Sequence, residues 1–479
     1  MLFSSVDFIL FYIITFILYY SFKLKYQREL LFLASVVFIW WFSYKFLIIS
    51  FVFISINYGI GLLFDYVKSS SHKKLLYTSG LIFNIAILLF YKYVNFIIEN
   101  LNSVIHFTQS TFEIPYINVI LPLGISFYTF QGIGYIYRLY KIKDKPERDF
   151  INFGIFMLFF PKFLSGPIER HEKFIPQLRV KHEFDYDNIT SGFRLILWGY
   201  FKKLIIADTL SIIIENVYGN LHEYTGVSLI ITLLIQPVHI YCDFSGYTDI
   251  ALGVARTFGI KLTDNFERPF LSQNVGTFWR RWHISLSSWC NTFIYNPTIL
   301  KRKKWGKLAA SYALTLTFLV IGIWHGARWN YIILGVLQAI AINYEFYTKR
   351  TRIKWASKLP TGLVVWISRG ITYVFFGFSL IFFNSVTFND AIYFISHLFQ
   401  NIQLSAGSYK FHIDKLEAII AIISYLIVFY YEIRIEKGYD TLSWFYLKPM
   451  WVKWMAYFLV FIILIYYTKN QSKFVYSQF

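Results

Sequence analysis

Apolar runs separated by short polar intervals recur along the chain, at 6–22, 30–43, 46–64, 75–91, 118–137, 192–207, 227–241, 309–324, 330–346, 361–383, 415–431 and 451–467. A spanning helix needs about 20 predominantly apolar residues, so this pattern predicts an all-α integral membrane protein built as a multi-span helical bundle. Several runs are short or interrupted, around Pro122–Gly124, Pro161–Gly166–Pro167 and Pro237–Gly246. Breaks of this kind survive at membrane depth only where protein or a wet cavity satisfies the freed backbone groups. Broken or re-entrant helices are expected there, and Asp243-Phe244-Ser245-Gly246 is expected to form a buried, hydrogen-bonded turn.

Composition narrows the class. Of 479 residues, 56% are hydrophobic and 15% charged, against about 25% charged in a typical soluble chain. Too few polar side chains remain to cover a water-facing surface, and a single membrane domain over 1–479 is expected. The net charge of +19 sits in short basic clusters between apolar runs, which suits loops facing an anionic leaflet and membrane lipids, not nucleic acid. Lys23, Lys25 and Arg28, then Lys68, Lys73 and Lys74, then Arg138, Lys141, Lys143, Lys145 and Arg148 mark three cytoplasmic loops. The N-terminus and the loop 95–117 are then extracytoplasmic. The run 6–22 has no small-residue cleavage site after it and reads as a retained helix. With two cysteines, Cys242 and Cys290, neither a disulfide framework nor a thiolate metal site can be built. His239 and Cys242 have ligand-like spacing, but nothing nearby completes a zinc site, so no metal is expected.

Three constellations can carry chemistry, because titratable groups inside apolar stretches are costly. In Ile321–Trp329 an apolar helix ends at Trp324-His325-Gly326. A neutral imidazole there can accept a proton from a hydroxyl near pH 7, or His325 can anchor a helix end at the membrane interface. In Thr277–Ser287, a single helix would put Trp279, His283 and Ser287 on one face. Arg280 and Arg281 can clamp a phosphate through forked hydrogen bonds or touch lipid headgroups. Asp243 and Asp249 fit a bracing role, including orienting a histidine.

Five stretches then come in a familiar order: Leu121–Gln131 (LPLGISFYTFQ), Phe160–Arg170 (FPKFLSGPIER), Asp243–Asp249 (DFSGYTD), Phe278–Ser287 (FWRRWHISLS) and Trp324–Ala327 (WHGA). They resemble membrane-bound O-acyltransferases, and among these the bacterial branch of the alginate O-acetyltransferase membrane subunit, from about residue 30 to the C-terminus. The resemblance implies that His325 is catalytic, that His283 is a second functional residue, and that helices surround a central tunnel which Trp324, Arg280, Arg281, Asp243 and Asp249 support. The tail 473–479 is similar to that branch's aromatic tail, with Ser477 in place of an aromatic residue. Tyr476 could receive an acyl group or dock a partner.

The expectation is a multi-pass O-acyltransferase of the bacterial cytoplasmic membrane. It would move acetyl groups from a thioester donor, acetyl-CoA or an acyl carrier protein, across the bilayer onto an extracytoplasmic polysaccharide or peptidoglycan. No bound cofactor is expected. An extracytoplasmic acetyltransferase partner and a cytoplasmic acyl carrier are implied. D-alanyl transfer to teichoic acid and a non-catalytic transporter or flippase are the alternatives; the latter would share broken helices and intramembrane charges.

Overall fold

The computed structural model describes residues 1, 3–402, 411, 413–439 and 447–467. Among them the regular elements are helical, apart from one isolated antiparallel bridge between Phe266 and Trp282. Among the described residues six helices are long and apolar enough to cross a bilayer: Tyr44–Tyr66, Ser70–Phe107, Val227–Thr257, Lys307–His325, Thr361–Asn384 and Lys415–Glu436. Shorter apolar helices run over Val6–Ser21 and Met450–Leu464. Many outward side chains on these helices are large and apolar, for example Ile48, Leu63, Ile82 and Ile422, as lipid-facing positions require.

The chain divides into two compact units. The first comprises Met1–Leu195, Ala251–Thr263 and Ile323–Arg328. Its interior is aromatic: Phe8, Phe38, Phe160 and Phe258 are buried, and the Tyr12 and Tyr19 hydroxyls donate to Thr257 Oγ1 (2.8 Å) and the Phe258 carbonyl (3.0 Å). Asn84 donates to Asn57 Oδ1 at 2.9 Å, joining two spans through a buried pair of amides. Two expected breaks are present. Gly124 adopts φ +74° just before the helix Ile125–Tyr137, where a Cβ would lie 2.5 Å from the Phe163 carbonyl oxygen. Gly meets both demands at no steric cost. The segment 159–170 leaves the helix Phe150–Leu158 without further helix and stays almost wholly buried, its Phe160 N–H donating to Ser35 Oγ at 3.1 Å.

The second unit comprises Ile196–Ile250, Asp264–Gly322 and Trp329–Phe479. One cluster packs Val217, Leu229, Ile381, Ala391 and Phe394. The helices Lys307–His325 and Trp329–Ala356 approach closely at Gly322, where a Cβ would fall 2.4 Å from the Tyr331 carbonyl. Glu345 receives the Val275 and Gly276 N–H groups and so caps the helix Val275–Arg281.

Two expectations are corrected. Pro237–Gly246 is no break: the helix Val227–Thr257 runs through it without interruption. Pro237 cannot donate, but the Tyr373 hydroxyl donates to the nearby Leu234 carbonyl (2.5 Å) and the Gln236 amide to the Gly377 carbonyl (2.6 Å). Neighbouring helices thus bond the residues that flank the proline. Gly246 is there for close packing, since a Cβ would sit 2.8 Å from the Gly199 carbonyl. The stretch 95–117 is not all loop either; the helix that begins at Ser70 continues to Phe107 through a π-helical turn, Leu89–Tyr93. Its asparagines hold the loop beyond it. Asn95 and Asn102 each exchange two hydrogen bonds with the backbone of Ile117 and Ile114, at 2.8–3.0 Å.

Candidate functional site

His325 is the last residue of the helix Lys307–His325 and is buried, 6% exposed. The preceding Trp324 packs edge-on against Phe127 (ring centroids 5.5 Å apart) and stacks on Phe130 (5.7 Å). Its carbonyl accepts a hydrogen bond from Lys92 Nζ at 2.6 Å, while the Tyr93 hydroxyl donates to the Ile323 carbonyl at 2.5 Å. These groups all belong to the first unit. A buried imidazole on a helix end held this firmly is suited to proton transfer, which requires a side chain fixed within hydrogen-bond reach of its substrate.

His283 lies in the second unit and is fully buried. The single helix expected over Thr277–Ser287 does not form: one helix ends at Arg281, Trp282 is extended, His283 takes φ +45°, and a second helix spans Ile284–Cys290. Trp279, His283 and Ser287 are therefore not related by one helical face. The cause is Asn265, whose Oδ1 meets His283 Nδ1 (3.2 Å) and accepts from the Ser285 N–H (3.2 Å) and hydroxyl (2.7 Å). Those bonds compensate the left-handed backbone at His283. The imidazole also meets the Phe244 ring edge-on at 4.9 Å.

Asp243 and Asp249 are engaged by two lysines that motif reading passed over. Lys203 Nζ lies 2.6 Å from Asp243 Oδ1 and 2.7 Å from Asp208 Oδ1; Lys202 Nζ lies 2.7 Å from Asp249 Oδ2 and donates to Ser245 Oγ at 2.8 Å. Both lysines are buried and sit in a second π-helical segment, Phe201–Ala207. Because Asp243 precedes Phe244, this cluster braces the helix turn that packs on His283. The signal was present: adjacent lysines inside the apolar run 192–207 are costly unless paired.

Arg281 turns to Glu436 (2.7 Å), which also receives Arg268 (2.8 Å), whereas exposed Arg280 donates to Thr277 Oγ1 (2.9 Å). Tyr476 and the rest of the tail lie outside the described residues. A further cluster, absent from the sequence reading, joins Asp144, His171 and Glu172 beside a cavity of about 600 Å³. Both carboxylates are bridged by Arg138, at 2.7 and 2.9 Å. Burial pushes the His171 pKa below its ordinary value, against the opposing pull of Glu172 and Asp144.

Buried histidines and paired intramembrane charges in a helical membrane protein suit membrane transporters and membrane enzymes alike, and comparison with known proteins identifies which class this is. Residues 147–387 match the MBOAT, membrane-bound O-acyltransferase, family. A probable alginate O-acetylase of Pseudomonas syringae pv. tomato is 34% identical over 381 residues, 77% of this chain and 72% of that one. A peptidoglycan O-acetyltransferase of Helicobacter pylori is 32% identical over 387 residues, 75% and 71% of the two chains. A teichoic acid D-alanyltransferase of Bacillus subtilis is 31% identical over 280 residues, 54% and 68%. The chain belongs to the membrane-bound O-acyltransferase family. It is a multi-pass O-acyltransferase of the bacterial cytoplasmic membrane.

Proposed function

We propose that the protein transfers acetyl groups from a cytoplasmic thioester, acetyl-CoA or an acyl carrier protein, to a hydroxyl, for O-acetylation of an extracytoplasmic polysaccharide or peptidoglycan. His325 is the general base. It takes the proton as the hydroxyl oxygen attacks the thioester carbonyl, the carbon–sulfur bond breaks, and the proton passes to the departing thiolate. Base catalysis of this kind contributes about 10²–10⁴-fold, and alignment of hydroxyl and thioester supplies much of the rest. Trp324 braces His325, and His283, Asp243, Asp249, Arg280 and Arg281 are proposed as supporting residues of the transfer. The observation that carries this reading is the buried His325 on a helix end gripped from a neighbouring span through the two carbonyls before it.

An extracytoplasmic acetyltransferase is the fitting partner to pass the acetyl group on to the glycan. Tyr476 is a candidate relay to that partner. Acetylation is favoured over D-alanylation because the O-acetylating relatives align over 72–77% of this chain and the D-alanyltransferase of Bacillus subtilis over 54%.

The test is alkaline release of esters from surface glycans of cells that carry the gene, lack it, or carry His325→Gln. Acetate is expected to disappear in the deletion and in His325→Gln, with the variant still present in the membrane at normal amount. Released D-alanine that depends on the gene would favour the teichoic acid reading, and normal acetate in His325→Gln would end the assignment of the base.

A further inference from the structure

We propose that Lys92 is a positioning residue for His325, clamping the end of the helix that carries the imidazole; this rests on the reading of His325 as the base. Lys92 lies inside the span Ser70–Phe107. Among the described residues no carboxylate lies within 4.0 Å of its Nζ. An ammonium without a counter-charge is costly at that depth. Its partners are instead the Trp324 carbonyl at 2.6 Å, the Ser126 hydroxyl at 3.3 Å and the face of the Trp324 ring, 5.7 Å from Nζ to the centroid.

Those partners explain the position. The last carbonyls of a helix lack intrahelical donors and carry the negative end of its dipole. The helix of His325 ends inside the protein: the Gly326 N–H returns to the Ile323 carbonyl at 3.2 Å, and the Trp324 carbonyl takes its donor from another helix. The π-helical turn Leu89–Tyr93 supplies two from consecutive residues, Lys92 to Trp324 and Tyr93 to Ile323. Such turns insert one extra residue into a helix and are frequent at functional sites. Here the turn serves both donors to one helix end. The ring of Trp324 is held by the same ammonium. A catalytic group misplaced by about 1 Å costs on the order of 100-fold in rate. Loosening this grip is therefore read in turnover before it is read in folding.

The experiment compares Lys92→Met, Lys92→Ala, Lys92→Arg and His325→Gln in intact cells, as the initial rate of glycan acetylation per amount of membrane-inserted protein. Each variant is also purified in detergent for a melting curve. Lys92→Met is expected to lose about 10- to 100-fold in rate with its melting temperature close to that of the parent. Lys92→Arg keeps the cation and most of the rate. Propylamine added to Lys92→Ala cells replaces the missing atoms and restores acetylation, whereas tert-butylamine, equally charged and bulkier, does not. A normal rate in Lys92→Met overturns the proposal. So does a loss of rate that follows the loss of folding and is not recovered by propylamine, which would make Lys92 a stabilising contact alone. Normal acetylation in His325→Gln would instead remove the base assignment itself, whatever the lysine variants do.

Discussion

At the scale of single residues, charge inside the membrane is the organising fact. Lys203 is buried between Asp208 and Asp243, and Lys202 is paired with Asp249. A buried pair is weak evidence of net stabilisation, but removing one partner strands the others and costs about 3–5 kcal/mol. Lys203→Met is therefore expected to lower the melting temperature of the detergent-purified protein steeply, because two aspartates lose their counter-charge together. The triple variant Lys203→Met/Asp208→Asn/Asp243→Asn removes those charges and is expected to recover most of the loss. A silent single substitution, or a triple variant worse than the single, would show that these three groups do not form one buried unit. His325 and His283 were legible in the sequence as titratable groups in apolar surroundings. Lys92 and Lys203 carried the same signal; Asp208 lies close to Lys203 in the chain, but Trp324 and Asp243 are remote from their lysines, and no local pattern could announce those two pairs.

At the scale of elements, the existence of helices was legible and their continuity was not. Of the twelve hydrophobic runs, six fall in helices long and apolar enough, among the described residues, to cross a bilayer, and Pro and Gly are ambiguous punctuation. At Gly124 a positive φ makes the glycine a true break; at Gly246 the same residue type lets two helices touch. The difference is set by Gly199, 47 positions earlier, which no local reading weighs. Likewise, the polar string from Asn95 to Asn102 looked like a loop, although those side chains serve a loop while standing on a helix. The left-handed His283 depends on Asn265, 18 residues upstream. A substitution at Gly246 checks the packing account. Gly246→Ala would place Cβ 2.8 Å from the Gly199 carbonyl, 3.0 Å from Lys203 N and 3.3 Å from Lys202 Cβ. Two of these neighbours are backbone atoms that cannot yield cheaply, so a loss of about 1–3 kcal/mol is expected. Gly219→Ala, which meets nothing within 4 Å, is the control and should melt as the parent does. Equal melting of both variants would refute close packing at Gly246.

At the scale of the whole molecule, the argument concerns sides. Acyl transfer from a cytoplasmic thioester to an outward-facing acceptor requires that His325 be reachable from opposite faces of the bilayer. The basic clusters assign Lys23–Arg28, Lys68–Lys74, Arg138–Arg148, Lys301–Lys307 and Lys349–Lys358 to the cytoplasm. On that assignment Val6–Ser21 is expected to run inward, Tyr44–Tyr66 inward and Ser70–Phe107 outward, and in the chain around the site Lys307–His325 outward and Thr361–Asn384 outward. His325 is then expected to end an outward-running helix, toward the acceptor's side in the proposed route. Single cysteines report this directly, since the natural Cys242 and Cys290 are buried and contribute little background. Cysteines placed at positions 109 and 386 should react in intact cells with a membrane-impermeant thiol reagent. Those at 70, 144 and 304 should react only after the membrane is permeabilised. Labelling of 144 or 304 in intact cells would invert the protein, put His325 nearer the thioester than the acceptor, and overturn the route of transfer proposed for it.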